Sequence, residues 1–324
     1  MTLSELCDLY LAEGVATKKA STLTIDKIRI ERHIKPTIGR LRISEVGRSD
    51  VERMMRDVAT GKIKDEATPH TRGGKSAASR SVGLLGGIFG FAVDRKLLAE
   101  SPTLGVKRFK DNKRERFLSA AELARLSDVM AEMAKEDPTR PRQVGLIVTK
   151  QHMQIVQLLL LTGARKNEIA ELRWSEVDIP GGFLRLADSK TGAKVIQLGA
   201  GAATVLATVT QGESPWVFPD PKDPSRPIRN LDWAWVGIRK AAGLDDVRVH
   251  DLRHTFASVA LMGGHGLAFI GKLLGHQHAG TTQRYAHLAD DPVKAAADRV
   301  SEAVAAQMAG KSAELHKLAR GSHE

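Results

Sequence analysis

The sequence predicts a mostly α protein with one small β-sheet, divided into two domains. Three observations carry this. Apolar residues recur at helical spacing through most of the first hundred positions and again after Leu231, a single stretch around residue 190 alternates as a β-hairpin does, and 324 residues are enough for two cores. A Ser101-Pro102 step followed by VKRFKDNKRER, with six basic residues against Asp111 and Glu115, marks the break between the domains.

In chain order, Leu3–Leu11 and the longer LTIDKIRIERHI run, Leu23–Ile34, read as helices, the second closed by Pro36 and Gly39. Val51–Val58 is a shorter helix with Ser49 or Asp50 as its N-cap, and Ala77–Leu98 a long one despite its glycines. Between them residues 62–75 read as a polar loop. Residues 1–104 thus form a helical bundle and residues 105–116 a basic interdomain linker. Ser119-Ala-Ala-Glu122 is a capping box that opens a helix to Lys135. Residues 137–150 read as a loop, Met153–Leu161 as a helix ended at Thr162-Gly163, and Lys166–Leu172 as another. Phe183–Ala187 and Lys194–Leu198 frame a turn with Gly192, the hairpin signal. Helices return from Leu231, and 117–290 is the second domain. Residues 291–324 form an Ala-rich helical tail with Val293, Ala297, Val300, Val304 and Met308 on one face.

Composition narrows the partner. The net charge is +11, of which residues 1–120 carry +9, so a polyanion is expected, with nucleic acid ahead of a membrane surface. No apolar run of the roughly 18 residues needed to span a bilayer is expected, and the N-terminus is acidic where a signal peptide would be basic. Cys7 is the only cysteine, which excludes an internal disulfide and a Cys-based zinc site and suits a reducing cytoplasm. Lys107, Arg108, Lys110, Lys113, Arg114 and Arg116 are either a solvated linker or a strap along a phosphate backbone.

Four short boxes carry chemistry. In HDLRHT, His250 and His254 stand at i and i+4, a metal pair's spacing, but Asp251 replaces the glutamate of a metalloprotease helix, so no metal is expected. Upstream stands TGARKNEI, with Gly163, Arg165 and Glu168. Downstream stand Leu274-Gly275-His276 and, nine residues after that histidine, Tyr285, one of only two tyrosines. Two arginines present planar forks that suit phosphate oxygens, a phenol is a nucleophile, and histidine moves protons near neutral pH.

In order and spacing, these boxes resemble those of the tyrosine recombinase, or phage integrase, family. SKTGAK resembles that family's hairpin, with Lys190 as its lysine. The resemblance covers 117–290 by motif and 1–104 only by helical character. It implies a SAM-like core-binding bundle and a mixed α/β catalytic domain of the DNA breaking-rejoining type. It implies that Tyr285 forms a 3′-phosphotyrosyl bond with duplex DNA while Arg165 and Arg253 clamp the phosphate. Lys190 gives a proton to the departing 5′ oxygen, His250 assists proton transfer at the nucleophile, and His276 donates to a phosphate oxygen. Glu168, Asp251 and His254 orient these from behind; His278 and His287 match no essential position. Gly280 departs from the family by replacing a better helix former.

The resemblance further implies no cofactor, a tetramer on paired sites, host bending or directionality factors as further partners, and a phage or prokaryotic protein acting at the nucleoid. An arm-site domain ahead of the first helix is either absent or outside this sequence. The tail either packs on its own domain or docks on a neighbouring protomer. Two other readings compete: a type IB topoisomerase-like enzyme and a catalytically silent DNA-binding accessory protein. The tail and small N-terminal domain speak against the first, the complete residue set against the second.

Overall fold

The computed structural model describes residues 1–62, 73–110, 116–135, 148–187, 192–276, 278–288, 297–298, 300–305 and 308. It divides into two compact units, Met1–Lys113 and Arg114–Glu324.

Among the described residues the regular elements of the first unit are helices, with one isolated antiparallel bridge between Thr2 and Arg42. In α1 (Leu3–Glu13) Thr2 accepts from the Glu5 amide and the Glu5 carboxylate accepts from the Thr2 amide at 2.7 Å, a closed capping box. α2 (Ala20–Arg29) runs through a π-turn, Ile30–Ile34, into the short α3 (Lys35–Ile38). Pro36 therefore does not end the helical run as the sequence suggested. It sits in the first turn of α3, where a helix already leaves its amides unpaired.

α4 (Arg48–Thr60) starts earlier than expected: its N-cap is Gly47, whose amide donates to Asp50 at 3.0 Å, so Asp50 is the third helical residue and not the cap. α5 (Lys75–Asp94) stops short of Leu98 and packs on α4, burying Val82, Leu85, Ile88 and Phe89 against Val51, Met54 and Val58. Its length and composition would allow a membrane crossing, contrary to the sequence reading, but its apolar face is this unit's core.

In the second unit α6 (Ala120–Ala134) has the predicted Ser119/Glu122 box. α7 (Lys150–Thr162) ends at Gly163, and α8 (Lys166–Ala170) follows at once. Gly163 has φ +62, and a Cβ there would lie 2.4 Å from Phe256, so conformation and space both demand glycine.

The hairpin forms from β2 (Phe183–Leu186) and β3 (Lys194–Gln197), antiparallel with Leu186 opposite Lys194. β1 (Val177–Asp178) adds a third strand in the order β1-β2-β3. After α9 (Ala200–Ala207), a two-stranded ribbon of β4 (Pro219–Asp220) and β5 (Asp223–Pro227) was not foreseen, because its prolines demote it as a strand signal.

α10 (Leu231–Ala241), α11 (Val249–Met262), α12 (Leu267–Leu274) and α13 (Ala279–Thr282) complete the unit, and a 3₁₀ stretch, Gln283–Leu288, carries Tyr285. Buried α11 crosses the core beside α7, so box residues on these two helices share one neighbourhood.

Candidate active site

Arg165 is the N-cap of α8, and Glu168 one turn on holds it twice. The Arg165 amide donates to Oε2 at 2.8 Å and its Nη1 to Oε1 at 2.7 Å. Glu168 is buried, and burial alone would raise its pKa. The Arg165 amide and Lys194 outweigh that and hold it below the ordinary carboxylate value.

Arg253 projects from α11 into the interior. Its Nη1 donates to the Gly163 carbonyl at 2.6 Å and its Nη2 to the Leu274 carbonyl at 2.8 Å. Both anchors are backbone, at the ends of α7 and α12, and each helix stops in a left-handed glycine, Gly163 and Gly275. Among the described residues the guanidinium is thus fixed without a carboxylate in contact to cancel its charge. Burial, then the nearby Arg165 charge, lowers its pKa to about 10, which leaves it charged at neutral pH.

His254, the next residue, faces Tyr285. Its Nδ1 lies 2.6 Å from the Tyr285 hydroxyl. Burial first, and then His250 and Arg284, pull its pKa down to about 4, so at neutral pH the ring is uncharged. In the tautomer protonated at Nε2 the hydroxyl donates to Nδ1, and in the other Nδ1–H donates to the hydroxyl; only the first lets His254 accept the phenol's proton. Tyr285 is 5% exposed, and burial raises its pKa against the pull of Arg253 and Arg284. It packs with Ala257, Leu261, Ile270 and Leu274 of α11 and α12.

The two histidines of HDLRHT thus stand differently about Tyr285 than the sequence suggested. His254, expected behind the site, touches the Tyr285 hydroxyl; His250, expected beside Tyr285, lies exposed one turn earlier with its ring edge-on to His254, centroids 4.9 Å apart. His276 follows Gly275 and its Nδ1 meets the Thr282 hydroxyl at 2.8 Å; burial and then Arg253 lower its pKa to about 4. Asp251, fully buried, caps α11: it accepts from the Arg248 amide at 2.8 Å and from the Arg248 side chain at 2.7 Å. It orients the helix start and none of the reactive groups directly.

Lys190 lies outside the described residues, as do Lys113 and Arg114. Lys107, Arg108 and Lys110 are exposed in the first unit. Arg116 is not a free phosphate contact: its guanidinium is held by Glu122 at 2.6 Å and Asp246 at 2.8 Å, and these carboxylates raise its pKa further. His278 is exposed, as expected of a bystander; the His287 side chain lies outside the described residues. Among the described residues no three His, Cys, Asp or Glu gather to hold a metal ion.

Sequence reasoning missed Lys194. Its Nζ lies 2.9 Å from Glu168 Oε2, and the pair's side chains are only 6% and 5% exposed. The signal was present in the alternation of β3, where Lys194 shares the inward face with buried Ile196 while Val195 points out.

Residues 116–291, more than half of the chain, match the phage integrase family model. The chain is 28% identical to the integrase of Salmonella phage P22 over 60% of its own length and 49% of that protein's. It is 26% identical to a tyrosine recombinase of Thermosipho africanus over 76% and 82% of the two chains. By fold, it is similar to the lambda integrase dimer bound to a COC′ core site, with TM-score 0.67, 19% identity and 90% and 78% of the chains covered. It is also similar to the Tn1549 transposon integrase in complex with circular intermediate DNA, with TM-score 0.68, 16% identity and 91% and 98% covered.

Proposed function

We propose that this chain, which belongs to the phage integrase family, is a site-specific DNA recombinase that cuts and rejoins duplex DNA through Tyr285. The observation that carries the reading is the Tyr285 hydroxyl held 2.6 Å from an uncharged His254, in the field of Arg253, which works against the rise that burial gives the phenol's pKa. A phenol with a reference pKa near 10 needs both a proton acceptor and a positive field to attack a phosphodiester.

Tyr285 Oη attacks the scissile phosphorus as its proton passes to His254 Nδ1. The charge on the non-bridging oxygens is met by Arg165 and Arg253, whose forks suit a phosphorane-like transition state. His276 adds a hydrogen bond to one of these oxygens, and Lys190 protonates the departing 5′ oxygen. The 3′-phosphotyrosyl bond keeps the energy of the broken one. A 5′ hydroxyl of another duplex then attacks the phosphorus, passing its proton back to Lys190, and Tyr285 leaves, recovering its proton from His254.

The proposal extends to assembly and place. Four protomers on two DNA sites exchange strands in pairs; one of the similar solved structures is a lambda integrase tetramer bound to a Holliday junction. Exposed Val300, Val304 and Met308 suit a tail that docks on a neighbouring protomer. The setting is the cytoplasm, at the DNA of a bacterium or phage, and the substrate is a mobile element.

The test is a nicked suicide duplex carrying the site, incubated without metal. Wild-type protein accumulates an adduct on the 3′ phosphate and Tyr285→Phe does not. No adduct, or one that survives Tyr285→Phe, refutes the mechanism. A two-duplex junction-trapping assay then separates recombination from topoisomerase-like relaxation.

A further inference from the structure

We infer that Lys194 is a positioning residue for the phosphate clamp, setting Arg165 and the Gly275 turn from strand β3 without itself moving a proton; this rests on the recombinase reading above. Three observations converge on it.

The first is burial. Ordering and desolvating a lysine is expensive, and a buried ion pair adds little net stability over a well-packed apolar pair. A cation 6% exposed on the inward face of a strand therefore calls for a reason other than folding energy.

The second is how Glu168 is shared. Oε1 accepts from Arg165 Nη1, while Oε2 accepts from the Arg165 amide and from Lys194 Nζ at 2.9 Å. Without the lysine, one carboxylate would neutralise one arginine of the clamp. With it, Arg165, Arg253 and Lys194 face a single Glu168, and the pocket keeps a positive surplus for a phosphate. Lys194 also pins Oε2 while Oε1 holds the Arg165 guanidinium, so the carboxylate and with it the guanidinium are set in place before DNA arrives.

The third is the path of the stem. Lys194 Cε lies 2.5 Å from the place a Cβ on Gly275 would occupy, so the chain crosses directly over that left-handed turn. The turn joins two site groups: the Leu274 carbonyl holds Arg253 Nη2, and the next residue is His276. One side chain thus braces Arg165 through Glu168, and Arg253 and His276 through the turn. Nζ is committed to Glu168 and screened from solvent, which is the geometry of a brace and not of a group that delivers a proton.

The experiment compares Lys194→Met, Lys194→Arg, Glu168→Gln and the Lys194→Met/Glu168→Gln double variant. Single-turnover cleavage of the suicide duplex is measured beside DNA affinity and thermal melting. Lys194→Met is expected to slow cleavage about 10²-fold with affinity changed only a few-fold, and Lys194→Arg to recover part of the loss. The double variant should be no slower than the slower single one, because both act through one contact. A substrate with sulfur as the bridging 5′ leaving atom, which departs without a proton, should leave the Lys194→Met deficit in place.

Cleavage by Lys194→Met at the wild-type rate, losses that multiply in the double variant, or restoration by the 5′-sulfur substrate would each overturn the proposal, the last by making Lys194 the acid. If Lys194→Met fails to fold, the double variant, which removes both members of the buried Lys194–Glu168 pair together, carries the test: it cleaves no more slowly than Glu168→Gln if Lys194 is a brace, and far more slowly if Lys194 acts on its own. Absence of an adduct with wild-type protein would instead refute the recombinase reading.

Discussion

The protein has two tyrosines, each 5% exposed, and they show how little burial says about role. Tyr10 lies in the helical unit, edge-on to Phe91 at 5.6 Å with the Lys18 ammonium 5.1 Å from its ring centre. Its hydroxyl reaches toward Gly87 of α5, and its neighbours fill the bundle core. Tyr285 is equally enclosed, but its oxygen rests on an uncharged histidine within the field of two arginines. The difference lies in what meets the oxygen: a lysine ammonium, Lys18, at the edge of a core in one case, and a neutral imidazole beside two arginines in the other.

The comparison is broken most sharply by removing each hydroxyl. Tyr285→Phe should abolish the covalent adduct while DNA affinity persists, and Tyr10→Phe should leave adduct yield unchanged; loss in both would mean that packing, not chemistry, was measured. Arg253→Ala should lower single-turnover cleavage about 10²–10³-fold, the usual loss for one transition-state donor. Truncation also unties two carbonyl anchors, so Arg253→Lys, which keeps the charge but loses the fork, tells geometry from charge.

His254→Gln should slow cleavage about 10²-fold or more, as removal of a general base does. His250→Gln should do less, since its ring contacts His254 and not the hydroxyl. The reverse order would restore His250 as the nucleophile's partner.

The smallest expected effect is on stability. His254 and His276 have folded-state pKa values lowered to about 4, against about 6.5 for an unfolded chain. Between these values the unfolded chain takes up protons that the folded one refuses, so stability falls as pH drops from about 6.5 toward 4 and is unaffected by these groups above that window. Melting temperatures across this range should show the decline, and His254→Gln should shrink it. A decline unchanged in that variant would assign it to other groups.

Much of this was legible in the sequence because the signals are local. The Ser119/Glu122 box, the Gly163 stop and the Gly192 hairpin each lie within a few residues, and the spacing of TGARKNEI, HDLRHT and Tyr285 gives away the family. What escaped depends on contacts distant in sequence. His254 was placed behind the site because helical spacing shows which residues share a face but not which of two histidines meets Tyr285, 31 residues downstream. Arg116 looked like one more basic linker residue until Asp246, 130 residues away, came to meet it. Lys194 was overlooked since a lysine near a turn is usually solvated, and only its pairing with Glu168 shows otherwise. Pro36 misled in another way: a proline stops a helix interior, but a π-turn before it lets the helix begin again.

The central claim is that Tyr285, and not its equally buried counterpart, bonds to DNA. Trapping the wild-type protein on a suicide duplex, digesting both components and sequencing the nucleotide-bearing peptide by mass spectrometry tests it directly. The account predicts the nucleotide on the peptide containing Thr282-Gln283-Arg284-Tyr285, linked through the tyrosine oxygen. A nucleotide on Tyr10, on a serine or histidine, or on no peptide at all would contradict it.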